Sequence, residues 1–224
     1  MSLSSLLALA SLAFLPLISA QAEIPVFPTL NSLSMFGTGC PTGGGQGIGA
    51  GAVNGTPVFK FPEWNLDLAD LDAEPSEGEE EDTEPATSVE KFCIEEMQLG
   101  GGPPGYQIRV PKVTVGGIAD LEEGSALSVS IETAAGEADV GVGETIVHPA
   151  DISDGVFEVQ VETTSETWSD CIADDGVVPL IRVKTTLSLY REGEEATAGT
   201  VGAADKSLDS ALSVHFQAIW RECE

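Results

Sequence analysis

The stretch Leu212-Ser-Val-His-Phe-Gln-Ala-Ile-Trp-Arg-Glu-Cys223 decides the fold. Leu212, Val214, Phe216, Ala218 and Trp220 fall on one face, and Ser213, His215, Gln217, Ile219 and Arg221 on the other. Period-two alternation of aliphatic and aromatic residues is the pattern of a strand packed on one side. The strand runs into a cysteine, and the other three cysteines stand at 40, 93 and 171. The expected architecture is a β-sandwich whose distant segments are tied by bridges.

Working back from this strand, the same alternation recurs. Val58–Phe61 and Lys91–Leu99 read as strands, as does Tyr106–Val110 continued through Val113 and Val115, with Gly116-Gly117 expected to end it. Ala126–Thr133, Val156–Val161 and Val178–Tyr190 complete the set, the last with Pro179 at its start, where a missing donor is tolerated. Six or seven strands between Gly-, Pro- and Asp-rich turns, with no 3.6-residue periodicity and no internal repeat, predict an all-β antiparallel sandwich. Ala203–Ala211 is read as one helical turn.

At the other end, Leu6–Ile18 is a nearly unbroken apolar run followed by Ala20-Gln-Ala22, small residues at the positions a signal peptidase reads. Residues 1–22 are therefore expected to be a signal peptide, with cleavage after Ala20 as the alternative. The run is shorter than the roughly 20 residues of a spanning helix, and no apolar tail follows Cys223, so the product is expected to be secreted, extracellular and monomeric. Residues 23–36, with Pro25 and Pro28, read as an extended arm, and 37–224 as a single domain. Gly37–Gly49 is glycine-rich but lacks the Gly-Lys-Ser/Thr of a phosphate loop. Asn54-Gly-Thr56 is a glycosylation sequon, so the chain is expected to be a glycoprotein in a eukaryotic host.

The charge is lopsided: 9 Lys+Arg against 37 Asp+Glu, a formal −28. That sign excludes nucleic acid and anionic membrane surfaces as partners. Much of the excess lies in residues 63–88, with the core Asp70–Glu84, which has too little apolar surface to offset the entropy of ordering. It is expected to be a disordered, solvated insertion; its spacing does not match a calcium-binding loop. Four cysteines without a C-x2-C spacing indicate two disulfides in an oxidising compartment rather than a zinc site. If the strand after Cys40 and the one before Cys223 are antiparallel neighbours, Cys40–Cys223 with Cys93–Cys171 follows. The sequential pairing, Cys40–Cys93 with Cys171–Cys223, is the alternative.

No catalytic constellation is legible. His148 and His215 are the only histidines, no Gly-x-Ser-x-Gly elbow accompanies them, and the cysteines are spoken for by bridges. Both histidines read as surface or loop residues, and no metal or other cofactor is expected. A glycosidase needs only two carboxylates across a cleft, but in so acidic a chain no pair stands out. Trp168, Tyr106, Tyr190 and Trp64 are the candidate ligand contacts, since sugar-binding sandwiches stack rings on sugar faces. The competing reading packs Trp168 over the Cys171 bridge and Trp220 into the core.

The cysteine contexts resemble a known family, the secreted, mostly fungal domain of unknown function 4360 (DUF4360). The resemblance rests on Gly37-Thr-Gly-Cys-Pro41, on Cys93 leading to Pro104-Gly-Tyr106, and on Gly117-Ile-Ala-Asp-Leu-Glu-Glu-Gly124. Trp168-Ser-Asp-Cys171 and Trp220-Arg-Glu-Cys223 complete it. Phe92 stands where the family usually has Asn, and the acidic stretch is an added insertion. The resemblance implies a secreted β-domain and no activity. The function expected on all these grounds is a non-enzymatic protein acting at a cell wall, in a matrix or on a host surface. Two alternatives stand beside it: a carbohydrate-binding module or carbohydrate-active enzyme with a cell-wall polysaccharide as partner, and an inhibitor that presents its acidic loop to a basic protein surface or protease.

Overall fold

The structure, a computed structural model, describes residues 29–40, 49–53, 56–62, 64–71, 87–164, 166–193, 197–202 and 211–224, with backbone alone at 49–53 and 56–57. The signal peptide, Asn54, all but Ala211 of the helical turn expected over Ala203–Ala211, and all but Asp70 and Leu71 of the acidic core Asp70–Glu84 lie outside these residues.

Alternation builds two antiparallel sheets. The first, of five strands, runs in the order β1 (Thr29–Phe36), β5 (Ser88–Gly100), β10 (Ile181–Arg191), β7 (Ser125–Ala135), β8 (Gly141–Val147). The second runs β2 (Gly49–Val53), β3 (Thr56–Phe61), β12 (Leu212–Glu222), β6 (Tyr106–Leu121), β11 (Gly199–Val201), β4 (Leu66–Asp67), with β9 (Val156–Glu162) also paired to β6. The all-β sandwich is as expected. Between the sheets the odd residues of β5, β7 and β10, among them Met97, Ile131 and Leu187, meet Ile108, Val113, Phe157, Val214 and Phe216. Phe216 stacks on Phe59 at 5.9 Å between centroids.

Three boundaries differ from expectation. Thr29–Phe36 is not an arm outside the domain but the edge strand β1, hydrogen-bonded along β5. Of the insertion expected over 63–88, residues 64–71 and 87–88 belong to the described fold. Trp64, Leu66 and Leu68 are buried, alternating within an acidic segment, and Leu66–Asp67 pairs with β11. Gly116-Gly117 does not end a strand: β6 continues to Leu121. A Cβ at 117 would lie 3.1 Å from a Leu212 methyl, so the glycine lets neighbours close over the strand.

The cysteines pair Cys40–Cys93 and Cys171–Cys223. This overturns the favoured crossing pairs, although the strand expected after Cys40, β3, does run antiparallel beside β12. That pairing covers only Leu212–His215 at the start of β12, far from Cys223, and β2 separates Cys40 from β3. Cys40 follows β1 at the edge of the five-stranded sheet, whereas β12 lies in the other sheet. After β1 the chain folds back on its own neighbour: the Gly39 N–H donates to the Phe92 carbonyl at 2.8 Å, placing Cys40 beside Cys93. At the opposite end of the chain the Ile172 N–H donates to Tyr106 and the Cys223 N–H to Gly105, both at 2.8 Å, so both cysteines meet at the start of β6.

Candidate functional site

In the five-stranded sheet the residues that do not enter the core form an outward face. Register places them in rows: Thr186 lies between Phe92 and Ser130, Ser188 between Glu90 and Ser128, and Lys184 between Ile94 and Glu132. Ser130 is also opposite Glu144 on β8. These rows enclose a groove of about 480 Å³, within the range of small-molecule sites. Five hydroxyls (Ser128, Ser130, Thr186, Ser188 and Tyr190) and three carboxylates (Glu90, Glu132 and Glu144) line it with Lys184.

The polar groups are partly ordered by one another. The Ser128 hydroxyl donates to Glu144 at 2.6 Å, and the Lys184 ammonium to Glu132 at 2.6 Å. Lys184 also lies 5.9 Å from the centre of the Phe92 ring. Partial burial, then the Glu192 and Glu144 carboxylates, push the Tyr190 hydroxyl above its ordinary pKa, so it stays a donor. Three carboxylates against one ammonium leave the groove negative. It can offer hydroxyl donors and carboxylate acceptors to neutral polyols, and it disfavours anionic ligands.

The four aromatic candidates do not assemble into one platform. Tyr190 alone is in the groove. Trp64 is a correction: it is 1% exposed, packed edge-on against Phe61 at 5.5 Å, and out of reach of any ligand. Trp168 is half-buried, with the guanidinium groups of Arg109 and Arg221 over its ring, 5.0 and 4.5 Å from the centroid. Tyr106 lies at the same end of the molecule, its hydroxyl donating to Glu222 at 3.1 Å. That bond, then burial and the Glu222 charge, raise its pKa. His148 precedes the short turn Pro149–Asp151 and donates its backbone N–H to the Asp151 carboxylate at 2.9 Å; its ring lies 3.6 Å from Glu192. His215 is half-buried on β12.

Apart from Tyr190, reading the sequence missed the groove residues. The signal was present in Ser128-x-Ser-x-Glu132 and Lys184-x-Thr-x-Ser-x-Tyr190, where four of the seven outward positions are short hydroxyls in place of the charged residues usual on a solvated face. That these two rows are neighbours is a fact of topology alone.

The motifs of the sequence serve the frame instead. The Thr38 hydroxyl accepts from the Phe92 N–H at 3.2 Å beside the first bridge. Ser169 is buried, its hydroxyl accepting from the Ile108 N–H at 3.0 Å. Arg221 and Cys223 meet Trp168 and Cys171, so the two Trp-containing motifs clamp each other. Phe92 is half-buried on the outward face of the five-stranded sheet, opposite Thr186, with the Lys184 ammonium 5.9 Å from its ring centre.

No curated protein matches the chain in sequence. Among solved structures it is similar to one described as TmCBM61 in complex with beta-1,4-galactotriose. The identity is 9% over 88% of this chain and 94% of that one, with a TM-score of 0.26, a likeness too distant to bear on function. The family comparison is decisive. Residues 76–223, beginning after the Gly37–Pro41 motif and spanning three of the four cysteines and both clamped Trp motifs, match the model of the domain of unknown function DUF4360, and the chain is a member of that family.

Proposed function

We propose that the protein is a secreted, non-catalytic carbohydrate-binding domain whose binding face is the outward groove of the five-stranded sheet. The observation that carries this reading is the groove's lining, in which five hydroxyls, three carboxylates and an ammonium converge on a depression of about 480 Å³. Sugars present vicinal hydroxyls that donate and accept at short spacing. Side-chain hydroxyls and carboxylates spaced by strand register match that demand, and Tyr190 adds a ring face for the sugar's C–H groups. The net negative lining favours neutral glycans over uronic-acid chains. Outside the groove, burial pushes the Glu95 carboxyl up to about 8. Such a group could serve as a general acid, but it lies on the core side of β5, 1% exposed, where no substrate reaches it.

A glycan array and polysaccharide pull-down test the reading. Neutral glycans should be retained, and Tyr190→Ala or Thr186→Trp should weaken retention about tenfold, near 1.4 kcal/mol. Trp168→Ala should leave it unchanged. Retention of no glycan, or binding that depends on Trp168 and not on the groove, would overturn it.

A further inference from the structure

Beside the polar groove, on the same sheet face, lies a second hollow of about 350 Å³. Glu132 and Lys184 line both, so the 2.6 Å ion pair between them forms the divide. The lining changes character across it. On the far side Phe36 and Val140, 46% and 54% exposed, meet Ile94 and Ala134. Large apolar side chains left in contact with water mark a binding surface when they are contiguous.

The charges around this hollow are internally matched. Arg182 donates to Glu96 at 2.6 Å, as Lys184 does to Glu132, so no net charge awaits a counter-ion there. Its occupant is therefore neutral and apolar. Its eight lining residues fall short of a subunit interface, which takes about 20–30 residues a side, and charged pairs surround it. From Lys184 to Tyr190 the face spans six residue steps along β10, about 20 Å, so one molecule can reach from the hollow into the groove.

We propose that the hollow seats the apolar aglycone of a neutral glycoside whose sugar lies in the polar groove, the Lys184–Glu132 pair facing the glycosidic junction. The proposal rests on the carbohydrate reading above and adds a ligand class to it: amphipathic glycosides in place of glycan chains alone.

The test uses methyl and hexyl glycosides of whichever terminal sugar the array retains in a Tyr190-dependent manner, titrated calorimetrically into the full chain. Each methylene removed from water is worth about a threefold to fourfold gain, so the hexyl glycoside should bind at least tenfold tighter. The double variant Phe36→Ala/Val140→Ser should abolish that gain while leaving the methyl glycoside unaffected, and Tyr190→Ala should weaken both alike. Equal affinity for the two glycosides, or a gain that survives the double variant, overturns the aglycone site and leaves the sugar site standing. An array that retains no glycan overturns both. A dimer in sedimentation that Val140→Ser disperses assigns the hollow to a second copy of the chain and likewise overturns the proposal.

Discussion

Glu95 is a carboxyl in an apolar core, 1% exposed, with one oxygen lacking any hydrogen-bond partner, and the hydroxyl of Thr185 nearby on β10 is equally unmatched. Burial raises its pKa from 4.5 to about 8, so folding takes up a proton at intermediate pH. The consequence has a definite sign. Below about 4.5 both states are protonated and the residue costs nothing on this account. As pH rises from 4.5 to 8 the unfolded carboxyl ionises while the folded one does not, and stability falls by up to ~1.4 kcal/mol per pH unit. Glu95→Gln should therefore match the parent near pH 4 and exceed it increasingly toward pH 8 in thermal denaturation. A difference that stays constant with pH would refute this. Strand alternation places residue 95 among core positions, yet its chemistry alone would send it to the surface. Only its neighbours Cys93 and Met97, buried on the same face, resolve the conflict.

At the scale of elements, β6 shows what alternation could and could not reveal. Its buried positions shift from even (Ile108, Val110) to odd (Val113, Val115) across Pro111. Opposite, the register with β12 slips between Gln217 and Ile219, so two residues, Val110 and Pro111, face Ala218 alone. A proline has no N–H for the ladder, and a bulge is where a strand can carry one. The Val110 carbonyl there accepts from the hydroxyls of Thr133 and Thr163 at 3.1 and 3.2 Å, stitching one sheet to the other. The phase change was legible in the sequence; the strand that absorbs it was not. β8 escaped sequence reading because its core-facing positions include Gly141 and Gly143, which carry no apolar signal. The reason is proximity: a Cβ at 143 would clash with the Glu162 carbonyl and lie 2.8 Å from a Val161 methyl on β9. Gly143→Ala should destabilise the fold by roughly 1–3 kcal/mol through overpacking, measured by urea denaturation. Since β8 also carries Glu144, the substitution should loosen glycan retention as well. Unchanged stability would mean that β8 does not dock against β9 this closely.

For the molecule as a whole, the two bridges divide the work. Each closes a loop of just over fifty residues, with separations of 53 and 52, and in the chain-entropy model each contributes roughly 4 kcal/mol. One fastens β5 to the segment after β1; the other fastens the end of β12 to the loop before β10. Non-reducing peptide mapping should recover Cys40 linked to Cys93 and Cys171 linked to Cys223, and crossed peptides would contradict the architecture. Because the two loops do not overlap, Cys40→Ala/Cys93→Ala should lower stability without disturbing the Trp168–Arg221 clamp, with the second bridge intact on mapping. The formal charge of −28 adds self-repulsion that acid relieves. It therefore reinforces, in the same direction, the pH dependence that Glu95 sets.

The sequence by itself determined the material of this protein: strands, the faces they bury, the bridge-forming cysteines, the acidic balance and the family motifs. These are local or compositional properties, and periodicity or counting reads them directly. Tertiary structure alone decided which strands are neighbours, and everything non-local follows from that. It pairs Cys40 with Cys93, buries Trp64 rather than presenting it, covers Trp168 with two guanidinium groups, and sets the Ser128 and Lys184 rows side by side as a groove. Alternation states on which face of a strand a side chain lies. It carries no information about the strand that hydrogen-bonds beside it, and it is that pairing which makes a site from residues that are unremarkable one strand at a time.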